Sequence, residues 1–217
     1  MDDSKYIDKI GVELEGGWTE RRLDLHADES LREADFPDCG CYGELVSAPI
    51  GDSKALLSFL TDNWPDATSE RCGYHIHYSF KDVGLYSLCM EQAFYDKFLR
   101  SMEAWGKSTN CKNKEFWSRL KGDNKYCRRS FEPHRQAMCR TKDEARKGDL
   151  RRTHWNFCFS LYGTIECRML PTFKDVNEAI SATKALNLFV VPYKRDAIFV
   201  FCSHNNKLPV LYSVRFL

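Results

Sequence analysis

Residues 10–15 have the sequence IGVELE, in which apolar and acidic side chains alternate. A period of two is typical of a β-strand with one apolar and one polar face. The same alternation recurs in residues 73–80, GYHIHYSF, and in residues 164–170, TIECRML. These stretches predict a sheet that turns apolar side chains towards a core and gathers acidic and histidine side chains on its other face.

The whole chain is predicted to form one α+β domain over residues 1–217, because no repeat or low-complexity linker divides it. Strands are predicted over residues 6–15, 21–26, 43–47, 73–80, 153–161, 164–170, 197–202 and 209–214. Helices are predicted over residues 53–64, 85–105 and 176–191, with a short one near 142–147. Gly16-Gly17 is expected to end the first strand, and residues 21–26 could pair back on it as a hairpin. Residues 106–150 are predicted to be an irregular, basic insertion or lid.

The composition excludes some classes of partner and compartment. The formal net charge is only +1, so no basic field points to nucleic acid. Neither an apolar signal segment at the N-terminus nor a run of about 18 apolar residues is present, so we expect a cytoplasmic protein that does not cross a membrane. The ten cysteines are then expected to be reduced thiols. Cys39 and Cys41 are too close together, without a second pair, to favour structural zinc.

Three predicted strands carry polar residues two positions apart, namely Glu13 and Glu15, His75 and His77, and Glu166 and Arg168. Residues at this spacing lie on one face of a strand, roughly 7 Å apart. Two carboxylates about 6 Å apart repel by roughly 3 kcal/mol at an effective dielectric near 20. Together with Glu44 on a fourth strand, these residues predict a Mg²⁺ or Mn²⁺ site. Each motif alone is more often the solvated face of a strand, so the prediction depends on their joint occurrence.

Five motifs occur in order between about residues 9 and 191: GVELEGGW, ELVSAP, CGYHIHYSF, RRTHWNF and GTIECRML. This series resembles the amidoligase family, relatives of glutamine synthetase and glutamate–cysteine ligase. The resemblance implies a glutamine-synthetase-like catalytic domain, with a curved, mainly antiparallel sheet and helices packed on one face. It also implies that the concave face holds ATP and two or three Mg²⁺ ions.

The reaction implied by the resemblance is ATP-dependent amide ligation. ATP phosphorylates a substrate carboxylate, and an amine then displaces phosphate from the acyl phosphate. The implied partners are a carboxylate and an amine, and one of them could be carried by a peptide or protein.

The resemblance also implies roles for individual residues. The implied metal ligands are Glu13, Glu15, Glu44, His75 and Glu166, with Glu13 and Glu166 sharing one ion and Glu15 and Glu44 another. Either His75 or His77 supplies the imidazole, and the other could bind substrate. The implied phosphate- and substrate-binding residues are Arg168, which contacts the transferred phosphoryl group, Arg152 with Asn156, and, from a looser motif, Arg128 and Arg129.

Two alternatives remain open from the sequence. The same residues would serve a metal-dependent phosphotransferase or hydrolase on the same fold. A catalytically inactive relative could instead use the basic segment to bind a peptide or protein. Catalysis by a cysteine nucleophile is disfavoured, because Cys72, Cys158 and Cys167 fall in predicted strands, where thiols are usually buried and inert.

Overall fold

The structure is a computed structural model that describes residues 6–146, 150 and 152–190. Its strands are β1 (Ile7–Trp18), β2 (Leu25–His26), β3 (Cys41–Val46), β4 (Tyr74–Phe80), β5 (Trp155–Asn156) and β6 (Ile165–Cys167). Its helices are α1 (Ser53–Asn63), α2 (Gly84–Cys89), α3 (Gln92–Ser108), α4 (Lys114–Lys121), α5 (Pro133–Ala137), α6 (Lys142–Arg146), α7 (Phe159–Tyr162) and α8 (Val176–Val190). The strands predicted over residues 197–202 and 209–214 lie outside the described part.

The six strands form one sheet in the order β2-β3-β1-β4-β6-β5, and every neighbouring pair is antiparallel. The predicted α+β class is therefore confirmed. The long strand β1 lies inside the sheet, where it pairs with β3 on one side and β4 on the other. The strand predicted over residues 21–26 shrinks to the two residues of β2, which pair with β3 and not with β1.

Helices α3 and α8 pack together against the apolar face of the sheet. Val12 and Ile76 are fully buried there. The Tyr78 hydroxyl donates to Asn187 Oδ1 of α8 at 2.6 Å, and Phe98 of α3 meets Trp155 edge to face with ring centroids 5.2 Å apart. These contacts bury one face of the sheet, so its polar residues are confined to the other.

The prediction that Gly16-Gly17 ends the first strand is wrong, because β1 runs through both glycines to Trp18. A Cβ atom on Gly16 would lie 2.5 Å from Pro65 Cβ, and one on Gly17 would lie 2.7 Å from a ring carbon of Phe36. The glycines therefore allow two loops to pack closely on an extended strand. Their lack of a side chain is used for packing and not for a turn.

Two other predicted elements are divided in the structure. The helix predicted over residues 85–105 is two helices, because Glu91 has an extended backbone, with ψ of 144°, between α2 and α3. The strands predicted over residues 153–161 and 164–170 are reduced to β5 and β6, with the short helix α7 between them. Hydrogen bonding along these segments depends on neighbours that local periodicity does not reveal.

Much of the segment predicted to be irregular, residues 106–150, is helical. Asn113 caps the N-terminus of α4 through its side chain, and Gly122 ends the helix with a left-handed backbone, φ 88°. Phe116, Arg119 and Leu120 of this helix are buried. Helix α4 therefore packs into the core of the molecule. Among the described residues, no helix is long and apolar enough to cross a membrane.

We predict that Gly16→Ala lowers the free energy of unfolding by about 1–3 kcal/mol, because the new methyl group overlaps Pro65. Chemical denaturation followed by circular dichroism measures this change. Gly51→Ala is the matched control, since among the described residues the nearest atom to its added Cβ, apart from its chain neighbours, is Lys9 Nζ at 3.9 Å. Equal stability of the two variants would contradict the packing role of Gly16.

Candidate metal centre

The strand register brings the predicted polar residues together. Glu13 of β1 lies opposite His75 of β4, and Glu15 lies opposite Glu44 of β3. On the other side of β4, His77 lies opposite Glu166 of β6. Because directly opposed residues of antiparallel strands share a face, four strands contribute to one polar cluster.

Glu13 is the centre of this cluster because both histidines reach its carboxylate. His75 Nδ1 lies 3.0 Å from Glu13 Oε2, and His77 Nε2 lies 2.9 Å from Glu13 Oε1. His75 also approaches Glu15 Oε1 at 3.9 Å and Glu166 Oε1 at 3.5 Å. The side-chain atoms of three carboxylates therefore converge around two imidazoles.

Three groups of possible ligands have their donor atoms within 4.8 Å of one another: Glu13, Glu44 and His75; Glu13, His77 and Glu166; and Glu15, Asp28 and Glu44. These groups could hold metal ions, and their carboxylate-rich donor set suits hard divalent cations. Glu13 groups with Glu166, and Glu15 with Glu44, as the resemblance to the amidoligase family implied for two separate ions. Both His75 and His77 belong to a group, so the geometry keeps each as a possible ligand.

Asp28 is the member of the cluster that the sequence did not predict. It follows β2 in a loop without periodicity, where an isolated aspartate carries no signal of its own. His26, two residues before Asp28, lies opposite Glu44 and therefore on the polar face of the sheet. The spacing His26-x-Asp28 is the one sequence feature that would have suggested it, and only once the register of β2 was known.

The carboxylates of Glu13 and Glu166 are stabilised as anions. Burial alone would raise the pKa of Glu13, but hydrogen bonds and charge interactions with His75 and His77 hold it well below its usual range. Burial would also raise the pKa of Glu166, and the charges of Arg168 and His77 lower it instead. The hydrogen bond to Glu13 and the charges of Glu166 and Glu13 raise the pKa of His77 against its own burial. This half of the cluster already contains its counter-charges.

The carboxylates of Glu15 and Glu44 are in the opposite situation. Burial, followed by the negative charges of Glu13 and Glu15, raises the pKa of Glu44 to about 8. Burial also raises the pKa of Glu15, despite the opposing charges of His75 and Arg168. This half of the cluster therefore needs protons or a bound cation to offset its charge.

Backbone and side-chain partners fix the orientation of two carboxylates. The Gly73 N–H donates to Glu15 Oε2 at 2.5 Å. Asn156 Nδ2 donates to Glu166 Oε2 at 2.9 Å, and Arg168 pairs with Glu166 Oε1. Asn156, for which the resemblance implied a role in cofactor binding, is thus placed where it orients a carboxylate.

The remaining predicted arginines are Arg128, Arg129 and Arg152. The Arg128 N–H donates to the Arg152 carbonyl at 2.6 Å, and both side chains are exposed. Arg129 packs against Gly122 at the end of α4. Their phosphate- and substrate-binding roles remain predictions.

A cleft of about 370 Å³ opens beside Glu13 and His77. Its lining includes Lys9, Gly11 and Thr164. Gly11 lies on the polar face two residues before Glu13, and its missing side chain leaves the cleft open next to His77. The cluster is therefore accessible to a small molecule from this side.

The cysteines predicted to be inert are fully buried, namely Cys72, Cys158 and Cys167. Burial raises the pKa of Cys72 to about 11 and raises that of Cys167 further still. The nine cysteines within the described residues are free thiols. A thiolate nucleophile is disfavoured at Cys72 and Cys167.

We predict that Mn²⁺ binds more tightly as the pH rises to about 8. The folded, metal-free protein keeps a proton on Glu44 up to about pH 8, and the metal must displace it. Below that pH the dissociation constant should rise by about tenfold per pH unit. The same proton stabilises the metal-free fold below the ordinary carboxyl pKa of 4.5. That stabilisation is lost as the pH rises through about 8.

Calorimetric titration with Mn²⁺ between about pH 6 and about pH 9 tests this prediction. Glu44→Gln should weaken binding and flatten the pH dependence, since the amide does not titrate. Glu103→Gln is the matched control, because Glu103 is exposed on α3, where it pairs with Lys107. Binding that is independent of pH in the wild type would refute the displacement of a proton.

Comparisons with protein-family models, with curated proteins and with solved structures each give no match. The resemblance to the amidoligase family therefore remains a prediction from the motifs. The function has to be argued from the geometry of the polar face.

Proposed function

We propose that this protein is an ATP-dependent carboxylate–amine ligase. The observation that carries the proposal is the convergence of Glu13, Glu15, Glu44 and Glu166 with two histidines and Arg168 on one face of an antiparallel sheet. Joining a carboxylate to a triphosphate requires that several negative charges be brought together. A site with many metal-binding carboxylates and one arginine is suited to that task.

The chain offers ligands for at least two Mg²⁺ or Mn²⁺ ions. Glu13, His77 and Glu166 would hold one, and Glu15, Asp28 and Glu44 another. Such ions neutralise the triphosphate and the substrate carboxylate so that the two anions can approach. Asn156 and the Gly73 N–H keep Glu166 and Glu15 oriented for this role.

The cleft beside Glu13 and His77 is the proposed place of the nucleotide. Val46 and Pro49 supply apolar wall, and Lys9 adds a positive charge. A nucleoside in this cleft would extend its triphosphate towards the carboxylate cluster. Arg168, on the β6 side of the cluster, would then contact the transferred phosphoryl group.

The proposed reaction has two balanced steps. A substrate carboxylate oxygen attacks the γ-phosphorus of ATP, and the bond to the β–γ bridging oxygen breaks to give an acyl phosphate and ADP. An amine then attacks the acyl carbon, and inorganic phosphate leaves as the amine loses a proton. The sum is an amide, ADP and phosphate from an acid, an amine and ATP.

The proposal predicts ADP release coupled to acyl transfer. Because the natural amine is not specified, hydroxylamine serves as the acceptor with a panel of carboxylic acids and carboxyl-bearing peptides. Mass spectrometry of the products should find a hydroxamate formed with ADP in equal amounts. A phosphorylated acceptor would instead indicate a phosphotransferase, and hydrolysed substrate alone a hydrolase.

Glu13→Gln and Glu166→Gln should each lower this activity by at least about a hundredfold, since each removes a charged ligand from the phosphoryl-transfer site. Thermal unfolding with and without Mn²⁺ shows whether the variants fold. Glu103→Gln, an exposed glutamate-to-glutamine change, should keep full activity. Full activity in both cluster variants would exclude the proposed site.

Filling the cleft should block the nucleotide and spare the metal. A Cβ on Gly11 would lie 3.3 Å from His77 Cβ, close enough to require a small shift. Gly11→Ala should therefore weaken ATP binding modestly and Gly11→Val strongly, while Mn²⁺ binding by Glu15, Asp28 and Glu44, a group that does not include His77, changes little. Calorimetry measures both ligands. ATP binding that is unchanged in Gly11→Val would place the nucleotide elsewhere.

A further inference from the structure

Arg119 of α4 is buried although it carries a permanent charge, with only 1% of its surface exposed. Within the described residues, no carboxylate lies within 4.0 Å of its guanidinium. A buried charge without a counter-charge is costly. We therefore expect the hydrogen bonds of this guanidinium to have a role that offsets the cost of burying it.

The guanidinium binds the backbone at two places under the polar face. Its Nη2 donates to the Cys72 carbonyl at 3.0 Å, and its Nη1 donates to the Arg168 carbonyl at 3.3 Å. Cys72 precedes Gly73, whose N–H holds the Glu15 carboxylate at 2.5 Å. One side chain thus joins the backbone of Arg168 to the segment that orients Glu15.

A second set of hydrogen bonds fixes Arg119 itself. His154 Nε2 donates to the Arg119 carbonyl at 2.7 Å, and the His154 carbonyl accepts from the Arg168 N–H at 2.8 Å. The Tyr95 hydroxyl donates to His154 Nδ1 at 3.0 Å. These two bonds match neutral His154 with its proton on Nε2, and burial lowers the pKa of this histidine to about 4.

We propose that Arg119 is a positioning residue, which sets the distance between Arg168 and the Glu15 carboxylate by holding the backbone of both segments. Strand β4 separates β6 from β1 in the sheet, so pairing alone does not join the two directly. Arg119 touches neither the Arg168 side chain nor the Glu15 carboxylate in these contacts. The inference rests on the proposed function, because it takes Arg168 as the residue that contacts the phosphoryl group.

Arg119→Lys tests the role. Lysine keeps the charge but lacks the planar fork that reaches separate carbonyls in fixed directions. We expect kcat for ADP release to fall by about tenfold to a hundredfold, as for small displacements of reacting groups, while KM for ATP stays near the wild-type value. Hydrogen exchange at the Gly73 and Arg168 amides should become faster.

Asn187→Leu is the matched control, because it removes a buried hydrogen bond from Tyr78 on the opposite face of the sheet. It should lower Tm without lowering kcat. An equal loss of kcat in both variants at equal loss of Tm would reduce Arg119 to a general structural role and overturn the proposal. Unchanged kcat and exchange in Arg119→Lys would overturn it as well.

Two other outcomes are covered by further measurements: a wild type without ATP turnover, and an Arg119→Lys variant that does not fold. If the wild type does not turn over ATP, the ligase proposal fails, and the exchange rates at Gly73 and Arg168 decide the role of Arg119. If Arg119→Lys does not fold, Tyr95→Phe removes the hydroxyl that holds His154. Tyr95→Phe should lower kcat by a smaller factor than the one expected for Arg119→Lys. An unchanged kcat in Tyr95→Phe would contradict the proposal.

Discussion

The interaction on which the polar face depends is that of Glu13 with two histidines. His75 and His77 reach opposite oxygens of its carboxylate, at 3.0 and 2.9 Å. Their hydrogen bonds stabilise a half-buried anion in the middle of the sheet, and they leave Glu15 and Glu44 without equivalent partners. Around this centre, the Gly73 N–H donates to one oxygen of Glu15, and Asn156 donates to one oxygen of Glu166. Protons or a bound cation would balance the remaining charge.

The opposite face of the same strands gives this cluster its rigidity. Between successive polar residues, Val12, Ile76 and Cys167 turn into a fully packed core. Hydroxyl groups of tyrosines on β4 anchor the sheet to α8, as in the bond between Tyr78 and Asn187. Functional groups on strands held in this way keep their relative positions better than groups on loops. The alternation that places the carboxylates on one face therefore also supplies the support beneath them.

Local periodicity was sufficient to predict the strands that carry the site and the face on which its residues lie. It predicted β4 and α8 nearly to their ends and β1 as far as Glu15, because each buries one face with a regular period. It failed at Gly16, where close approach of Pro65 and not chain reversal explains the glycine. It also missed Asp28 and Arg119, whose importance depends on contacts between residues far apart in sequence. Such contacts leave no periodic pattern in a single chain.

The pairing of Arg168 with Glu166 limits how the proposed ligase could work. One oxygen of Glu166 is bound by Arg168, and the other accepts from Asn156. The same carboxylate belongs to the group formed with Glu13 and His77. Arg168 and a bound metal ion would therefore compete for Glu166, whereas none of the arginines that the structure describes is paired with Glu15, Asp28 or Glu44. In the proposed ligase, a metal ion that binds Glu166 would replace Arg168 there. Arg168 would then be free to contact a phosphoryl group. The arginine would then be available only at a site already able to neutralise the triphosphate.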